Sequence, residues 1–325
     1  FAVDGQRLSG LDFAFERTEI QIAADRAEAT AYLGGDSLAV EVHLVAYRDH
    51  PVIRKWLVVT NCGEHTVTLT DFEWEDVHLL VDTPATAEEW ADYFTRREKS
   101  VAVTMDDCAL LINDPAHAEG FILATEAPGP LKRLEAYASP ARIAVGYNRD
   151  DETIFERNLL PGENFRSHES FILFFADAIP QDAVDGPYAR FVADHLTACD
   201  VSLVPTITVN SWRPHEFNLS RDLLIEQMDM AADLGVDAYQ VDAGWYDLMG
   251  DWNEDRQKFP NGLEEIADYA RARGMRFGLW VALPTADERS QIARAHPEWI
   301  ARDRGGRPNR HPIPGALTMC LASGY

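Results

Sequence analysis

The chain has 325 residues, 46% hydrophobic and 26% charged, which is ordinary for a globular protein and long enough for two domains. Fifty-four acidic residues against twenty-nine basic ones give a net charge of −25. Such a charge repels phosphate backbones and anionic membranes, so it argues against a nucleic-acid or membrane partner and for a neutral or cationic one. No apolar run approaches the roughly 20 residues of a membrane-spanning helix.

The lysines are only Lys55, Lys99, Lys132 and Lys258. An acidic, lysine-poor chain fits adaptation to high salt, and it fits equally a genome that prefers Arg and Ala. The cysteines Cys62, Cys108, Cys199 and Cys320 show no C-x-x-C spacing and read as isolated buried thiols. A reducing, cytoplasmic compartment is the expectation. The chain starts at Phe1 without a leader pattern, and because an earlier segment is expected to precede it, a signal peptide stays open. The ten histidines have no ligand spacing and read as surface or capping residues, and no metal site or cofactor is expected.

Residues 1–180 read as an all-β domain. Short apolar or alternating runs at 38–47, 52–61, 66–74, 109–115, 120–130, 141–147 and 170–176 are strand-sized and separated by turn residues, the pattern of a sandwich. Gly63 supplies a tight turn between two of them. The spacing of apolar residues predicts a connecting helix over 182–196, within a helical linker at 181–202.

From 203 the period changes. Strands are predicted at 203–212, 236–245 and 275–283, alternating with helices at 220–235, 261–274 and 285–297. Ser220 and Gly235 are suited to the two ends of the first of these helices. Strand–helix units of this length imply parallel strands joined by crossovers. No glycine-rich nucleotide loop follows any strand, and polar and aromatic residues load the strand ends. The fold expected for 203–325 is therefore the first three units of a truncated (β/α)8 TIM barrel.

At the mouth of such a barrel, strand ends and the following loops build the site. The first strand ends in Asn210-Ser211-Trp212, the second in Asp242-Ala243-Gly244-Trp245-Tyr246, with Gly250-Asp251-Trp252 in the loop beyond, and the third at Trp280. Indole faces stack on sugar C–H surfaces while carboxylates accept several hydroxyl hydrogen bonds, so this grouping points to a saccharide. A single Trp near a strand end is more often core; four at successive strand ends favour a pocket. Asp242, between Val241 and Ala243 at a buried strand end, is costly there unless it is used. Asp251 divides evenly between a sugar contact and an ordinary loop turn.

These motifs, with Pro260-Asn261-Gly262-Leu263, Gly278-Leu279-Trp280 and His296-Pro297-Glu298-Trp299, resemble the catalytic barrel of family 36 glycoside hydrolases, the α-galactosidase group. Segments 50–69 and 126–133 resemble that family's N-terminal β-supersandwich. The resemblance implies a retaining, exo-acting hydrolase of terminal α-linked galactose, without metal or cofactor. It implies that Asp242 binds sugar hydroxyls, that Trp212, Trp245 and Trp280 line the sugar pocket, and that Trp252 lies near it. The nucleophile and acid/base would lie on strands four and six, beyond Tyr325, so no residue of this chain is expected to be catalytic and the chain alone would be inactive. Family members often self-assemble, which makes a homo-oligomer an expectation of the resemblance. Ala243 stands where many members have a second aspartate, and strand three continues as Trp280-Val281-Ala282-Leu283-Pro284. Strict galactose specificity is therefore open, with an α-N-acetylgalactosaminidase or a transglycosylase as alternatives. A non-catalytic carbohydrate-binding or scaffold protein with a degenerate barrel is the reading from another class.

Overall fold

The computed structural model describes residues 1–78, 86–90, 96–99, 103–105, 109–114, 117–127, 131–138, 141–149, 154–177, 179–197, 207–303 and 305–325. The chain divides into two compact units, Phe1–Ala198 and Cys199–Tyr325.

The first unit is antiparallel β-structure. Its largest sheet has ten strands and runs in the order Arg96–Lys99, Thr86–Trp90, Ala109–Asp114, Glu119–Thr125, Ser170–Ala176, Val52–Asn61, Leu38–Tyr47, Arg26–Gly34 and Ala14–Ile22, with Asn164–Arg166 also paired to Val52–Asn61. One four-stranded sheet holds Val103–Met105, Lys132–Ala138, Ala141–Tyr147 and Glu73–His78; another holds Glu156–Leu159, Val67–Thr70, Ala2–Val3 and Gln6–Arg7.

Successive side chains on a strand point to opposite faces, and the central strands use both. Leu110, Ile112 and Leu123 pack with Leu38, Val40, Val59, Trp74 and Leu134, joining the large sheet to the smaller ones. Their neighbours Leu111, Ile122 and Ala124 pack instead with Phe171, Leu173, Ala183 and Phe191. Burial on both faces explains why these strands read as unbroken apolar runs rather than as alternating ones.

Ala183 and Phe191 belong to the helical stretch 180–196, predicted as a connecting helix within a linker at 181–202. It falls within the first unit, with Phe191 fully buried against Phe171 at 4.8 Å between ring centroids. It is not a regular α-helix. Two π-helical turns, Val184–Tyr188 and Val192–Leu196, alternate with α-helical ones. Pro187 lies in the first of them and has no N–H for an α-helical hydrogen bond.

Several sequence readings need correction. The single strand at 66–74 is two, Val67–Thr70 and Glu73–His78, separated at Asp71, whose φ of 47° takes the backbone out of the β region. A long hairpin, Ala14–Ile22 and Arg26–Gly34, adds two strands to those the sequence predicts; the strand Ala14–Ile22 is exposed throughout, so no buried face gives it an apolar period. Cys62 is exposed, not a buried thiol, while Cys108 and Cys199 lie outside the described residues. His50 is no surface residue either: its side chain is 9% exposed and packs on Phe191.

In the second unit three strands pair in parallel, β1 (Thr208–Asn210), β2 (Ala238–Val241) and β3 (Arg276–Leu279), in that order. Residues 203–206 of the predicted first strand lie outside the described residues. The crossovers contain α1 (Arg221–Asp233) and α2 (Leu263–Ala272). The Ser220 hydroxyl accepts from Leu223 N at the start of α1, and Gly235, at φ 76°, ends it. Leu224, Met228, Tyr239, Val241, Phe259 and Ile266 join strands and helices in one core. Each such side chain removed from water contributes on the order of 1.5–3 kcal/mol. The helix predicted at 285–297 is a correction: its first residues, Thr285–Asp287, pair with the distant strand Ala316–Thr318, and the helix is only Gln291–Ala295. No helix among the described residues is long and apolar enough to cross a membrane.

Within the first unit, Arg133 and Glu73 form an ion pair at 2.9 Å with side chains 4% and 6% exposed. Arg7, Arg142 and Arg149 also reach Glu73. Removing one partner of a buried, unshared pair costs about 3–5 kcal/mol, but Glu73 keeps three other arginines, so the loss of Arg133 is reduced to that of its buried hydrogen bonds, about 1–3 kcal/mol. Arg133→Met is therefore expected to lower the stability of the first unit by about 1–3 kcal/mol, read by urea denaturation. Lys132→Met next to it, as a control, is expected to change stability by less than about 0.5 kcal/mol.

Candidate functional site

The parallel pairing of β1 and β2 sets Asn210 opposite Gln240. From there the Asn210 amide nitrogen donates to Gln240 Oε1 at 2.9 Å and to Asp242 Oδ2 at 2.7 Å. The other carboxylate oxygen, Oδ1, accepts from Ala243 N at 2.7 Å. The backbone N–H of Asp242 donates to the buried Ser211 hydroxyl at 2.9 Å. Asp242 is only 8% exposed, and these bonds fix its carboxylate while leaving each oxygen further lone pairs. Asn210 Oδ1 in turn accepts from Trp212 N at 2.7 Å, which starts the one-turn helix Trp212–His215.

Asp242 opens into a cavity of about 610 Å³ with Trp212, Phe217, Ala243, Tyr246, Met249 and Trp280. The segment Pro312-Ile313-Pro314 completes the wall. Trp212 and Phe217 meet edge to face at 5.0 Å, and Tyr246 lies nearly parallel to Trp280 at 6.3 Å. Burial, and then the nearby Asp242 charge, hold the Tyr246 hydroxyl above its usual pKa, so it stays a donor at neutral pH. Lys258 ties the floor together, its Nζ donating to Gly244 O at 2.7 Å and Phe217 O at 2.9 Å. Gly244 has φ 105°, and a Cβ there would stand 2.9 Å from Phe217 Cα, so only glycine fits.

Of the six residues singled out from the sequence, Asp242, Trp212 and Trp280 meet at this cavity. Three do not line it. Trp245 is 4% exposed and belongs to the core, where its Nε1 donates to Trp280 O at 2.9 Å. Trp252 packs behind the wall, 6.0 Å from Trp245 and edge-on to Tyr246 at 4.8 Å. Its φ of 53° turns the loop so that the ring faces these partners. Asp251 is a helix cap: its carboxylate accepts from Gln291 N at 2.8 Å and Ile292 N at 3.1 Å. Asn210, Ser211, Phe217, Lys258 and Pro312 were not foreseen as site residues. The polar strand end Asn210-Ser211 was a signal; nothing local marks Pro312, which arrives from a distant loop.

Among the described residues, the one group of three possible metal ligands within reach of one another is Asp114, His117 and Glu119, two carboxylates and an imidazole, with Asp114 half-buried and the other two exposed. It is remote in sequence from the cavity residues, and among the described residues no such group of ligands lines the cavity.

Two changes separate support from contact. Asp251→Ala removes a cap and is expected to cost about 0.5–2 kcal/mol in denaturation, with a smaller loss of ligand affinity than any change at Asp242. Asp287 is held below the usual carboxylate pKa by its hydrogen bond from Arg289. A depressed carboxylate contributes stability above its unfolded pKa of about 3.9, and loses it as pH falls through the folded value. The stability gap between the parent and Asp287→Asn is therefore expected at neutral pH and should close in acid, measured by thermal melts across pH 2–7.

Residues 187–312 match the Melibiase family model. α-Galactosidase 1 of Pediococcus pentosaceus is 23% identical over 98% of this chain and 46% of its own length. The Escherichia coli α-galactosidase is 32% identical over 35% of this chain and 17% of its own length. A variant of the family 36 α-galactosidase AgaA from Geobacillus stearothermophilus, solved with raffinose, has the same fold with a TM-score of 0.77, at 21% identity over 96% of this chain and 46% of that one. The chain thus spans about half the length of the relatives it matches most fully. The 187–312 segment matches the Melibiase model, and the chain as a whole is similar in sequence and fold to α-galactosidases of glycoside hydrolase family 36.

Proposed function

We propose that this chain supplies sugar-binding elements of a retaining, exo-acting α-galactosidase-like hydrolase that acts on terminal α-linked galactose or a related sugar. The observation that carries this reading is Asp242, oriented by Asn210 and Ser211 and flanked by Trp212 and Trp280 at one cavity. A pyranose has an apolar C–H face and a hydroxyl edge; the indoles suit the first and the carboxylate suits the second. The raffinose and stachyose complexes of relatives support an oligosaccharide ligand. In this reading β1, β2 and β3 are the opening strands of a (β/α)8 barrel and the first unit is the N-terminal supersandwich. A retaining glycosidase needs two carboxylates about 5–5.5 Å apart. Among the described residues Asp242 is the one carboxylate on the cavity lining, so its role here is to bind rather than to attack.

A second reading concerns the sugar. Ala243 lines the cavity beside Asp242, and its small apolar side chain leaves space where a further carboxylate would take a hydroxyl. A relative described as an A type blood α-D-galactosamine galactosaminidase, from Flavonifractor plautii, is 36% identical over 31% of this chain and 10% of its own length. An N-acetylated galactoside is therefore the specific rival substrate.

Binding of 1-deoxygalactonojirimycin and of N-acetylgalactosamine by calorimetry, and turnover of the two nitrophenyl α-glycosides by the protein that carries this chain, test both readings. Asp242→Ala is expected to weaken the preferred ligand by about 1.5–3 kcal/mol, roughly 10- to 150-fold, the worth of a lost charged hydrogen bond. Unchanged affinity in that variant would reject Asp242 as a sugar ligand. Binding with no turnover of either glycoside would favour a carbohydrate-binding scaffold.

A further inference from the structure

We propose a second saccharide site in the first unit, separate from the cavity at Asp242. The sheet strands Leu38–Tyr47, Val52–Asn61 and Glu73–His78 enclose a cavity of about 370 Å³. That volume falls at the small end of the roughly 300–1,000 Å³ of small-molecule sites, the end suited to a single sugar ring.

The walls differ in character. Val40, Val42 and Leu57 form an apolar side, while Lys55, Glu73 and Glu75 form a polar one. The Glu75 side chain is 6% exposed, with Oε2 accepting from Lys55 Nζ at 3.0 Å and Oε1 from the Ser170 hydroxyl at 3.1 Å. Groups buried and braced in this way cannot reorient, so the site is organised before any ligand arrives.

The charges say which ligand it takes. Lys55 is paired with Glu75, and Glu73 is bound by Arg133 and Arg7. An anion or a cation entering the cavity would add an uncompensated charge to a balanced set, at a large desolvation cost. A neutral polyol adds none. The Lys55 ammonium has three donors, of which the bond to Glu75 uses one, and each Glu75 oxygen keeps a lone pair for a hydroxyl. Neutral hydroxyls on one edge and C–H groups on the other are the signature of a monosaccharide. None of the residues of this cavity is among those around Asp242, and the family 36 reading of that site does not depend on it.

The test uses the full chain carrying Asp242→Ala, which weakens the other cavity, titrated with galactose, glucose, galacturonate and galactosamine by saturation-transfer NMR and calorimetry. One neutral monosaccharide is expected to bind this variant at a stoichiometry near one. Adding Val42→Trp, which fills the apolar side, should weaken that binding at least tenfold. Should Val42→Trp disturb folding, Gly10→Trp serves instead, because Gly10 is on the lining and a Cβ there meets nothing within 4 Å. No neutral sugar bound by the Asp242→Ala chain would overturn the proposal. So would tighter binding of galacturonate or galactosamine than of galactose and glucose, or binding unaltered by both tryptophan substitutions. Loss of sugar binding by Asp242→Ala at the other cavity alone bears only on the function proposed above.

Discussion

The contact between the Asn210 amide and the Asp242 carboxylate is the interaction on which the second unit's site depends. A carboxylate at the end of a buried strand loses its hydration, and that loss is tolerable only when fixed donors replace the water. Parallel pairing of β1 and β2 brings those donors within reach: Asn210 stands opposite Gln240, and its side chain extends to both Gln240 and Asp242. The same residue sets the direction of Trp212 through its carbonyl oxygen. One side chain thus couples the orientation of the acid to the orientation of an indole across the cavity.

Behind the lining is a second set of aromatic residues that holds the first in place. Trp245 fixes the backbone of Trp280 through its indole N–H, and Trp252 closes against Trp245 and Tyr246. Asp251 anchors the Trp252 loop to the short helix Gln291–Ala295. Lys258 bridges two backbone carbonyls on either side of the cavity floor. A rigid wall of this type retains ring positions without a ligand, so less ordering entropy is lost when one binds.

The first unit solves a different problem. Its large sheet is covered on one face by smaller sheets and on the other by the helical stretch 180–196, and its central strands are apolar on both sides in consequence. Among the described residues of this β-structure, the buried charges Arg133 and Glu75 are matched, Arg133 with Glu73 and Glu75 with Lys55. The smaller cavity is bordered by both of these glutamates, which makes its polarity a by-product of the pairing that stabilises the unit.

The sequence by itself determined the change from β-structure to alternating strands and helices, because that change is a local period: apolar runs before residue 180, then Ser220-capped and Gly235-terminated helical spacing between buried strands. It also singled out Asp242, Trp212 and Trp280, since polar and aromatic residues at strand ends are legible without a fold. The strand Ala14–Ile22 has no apolar period because all of it is exposed, and Arg26–Gly34 beside it is only half-buried. Only the tertiary structure decided which tryptophans face the cavity. Trp245 and Trp252 share the local context of Trp212 and Trp280, but packing depth is a property of neighbours far along the chain. Likewise, Asp251 became a cap and residues 285–287 a strand through partners about 30–40 residues away, at Gln291 and at Ala316–Thr318. Periodicity records the partners a residue has within a few turns; burial and hydrogen bonding record those that the fold brings to it.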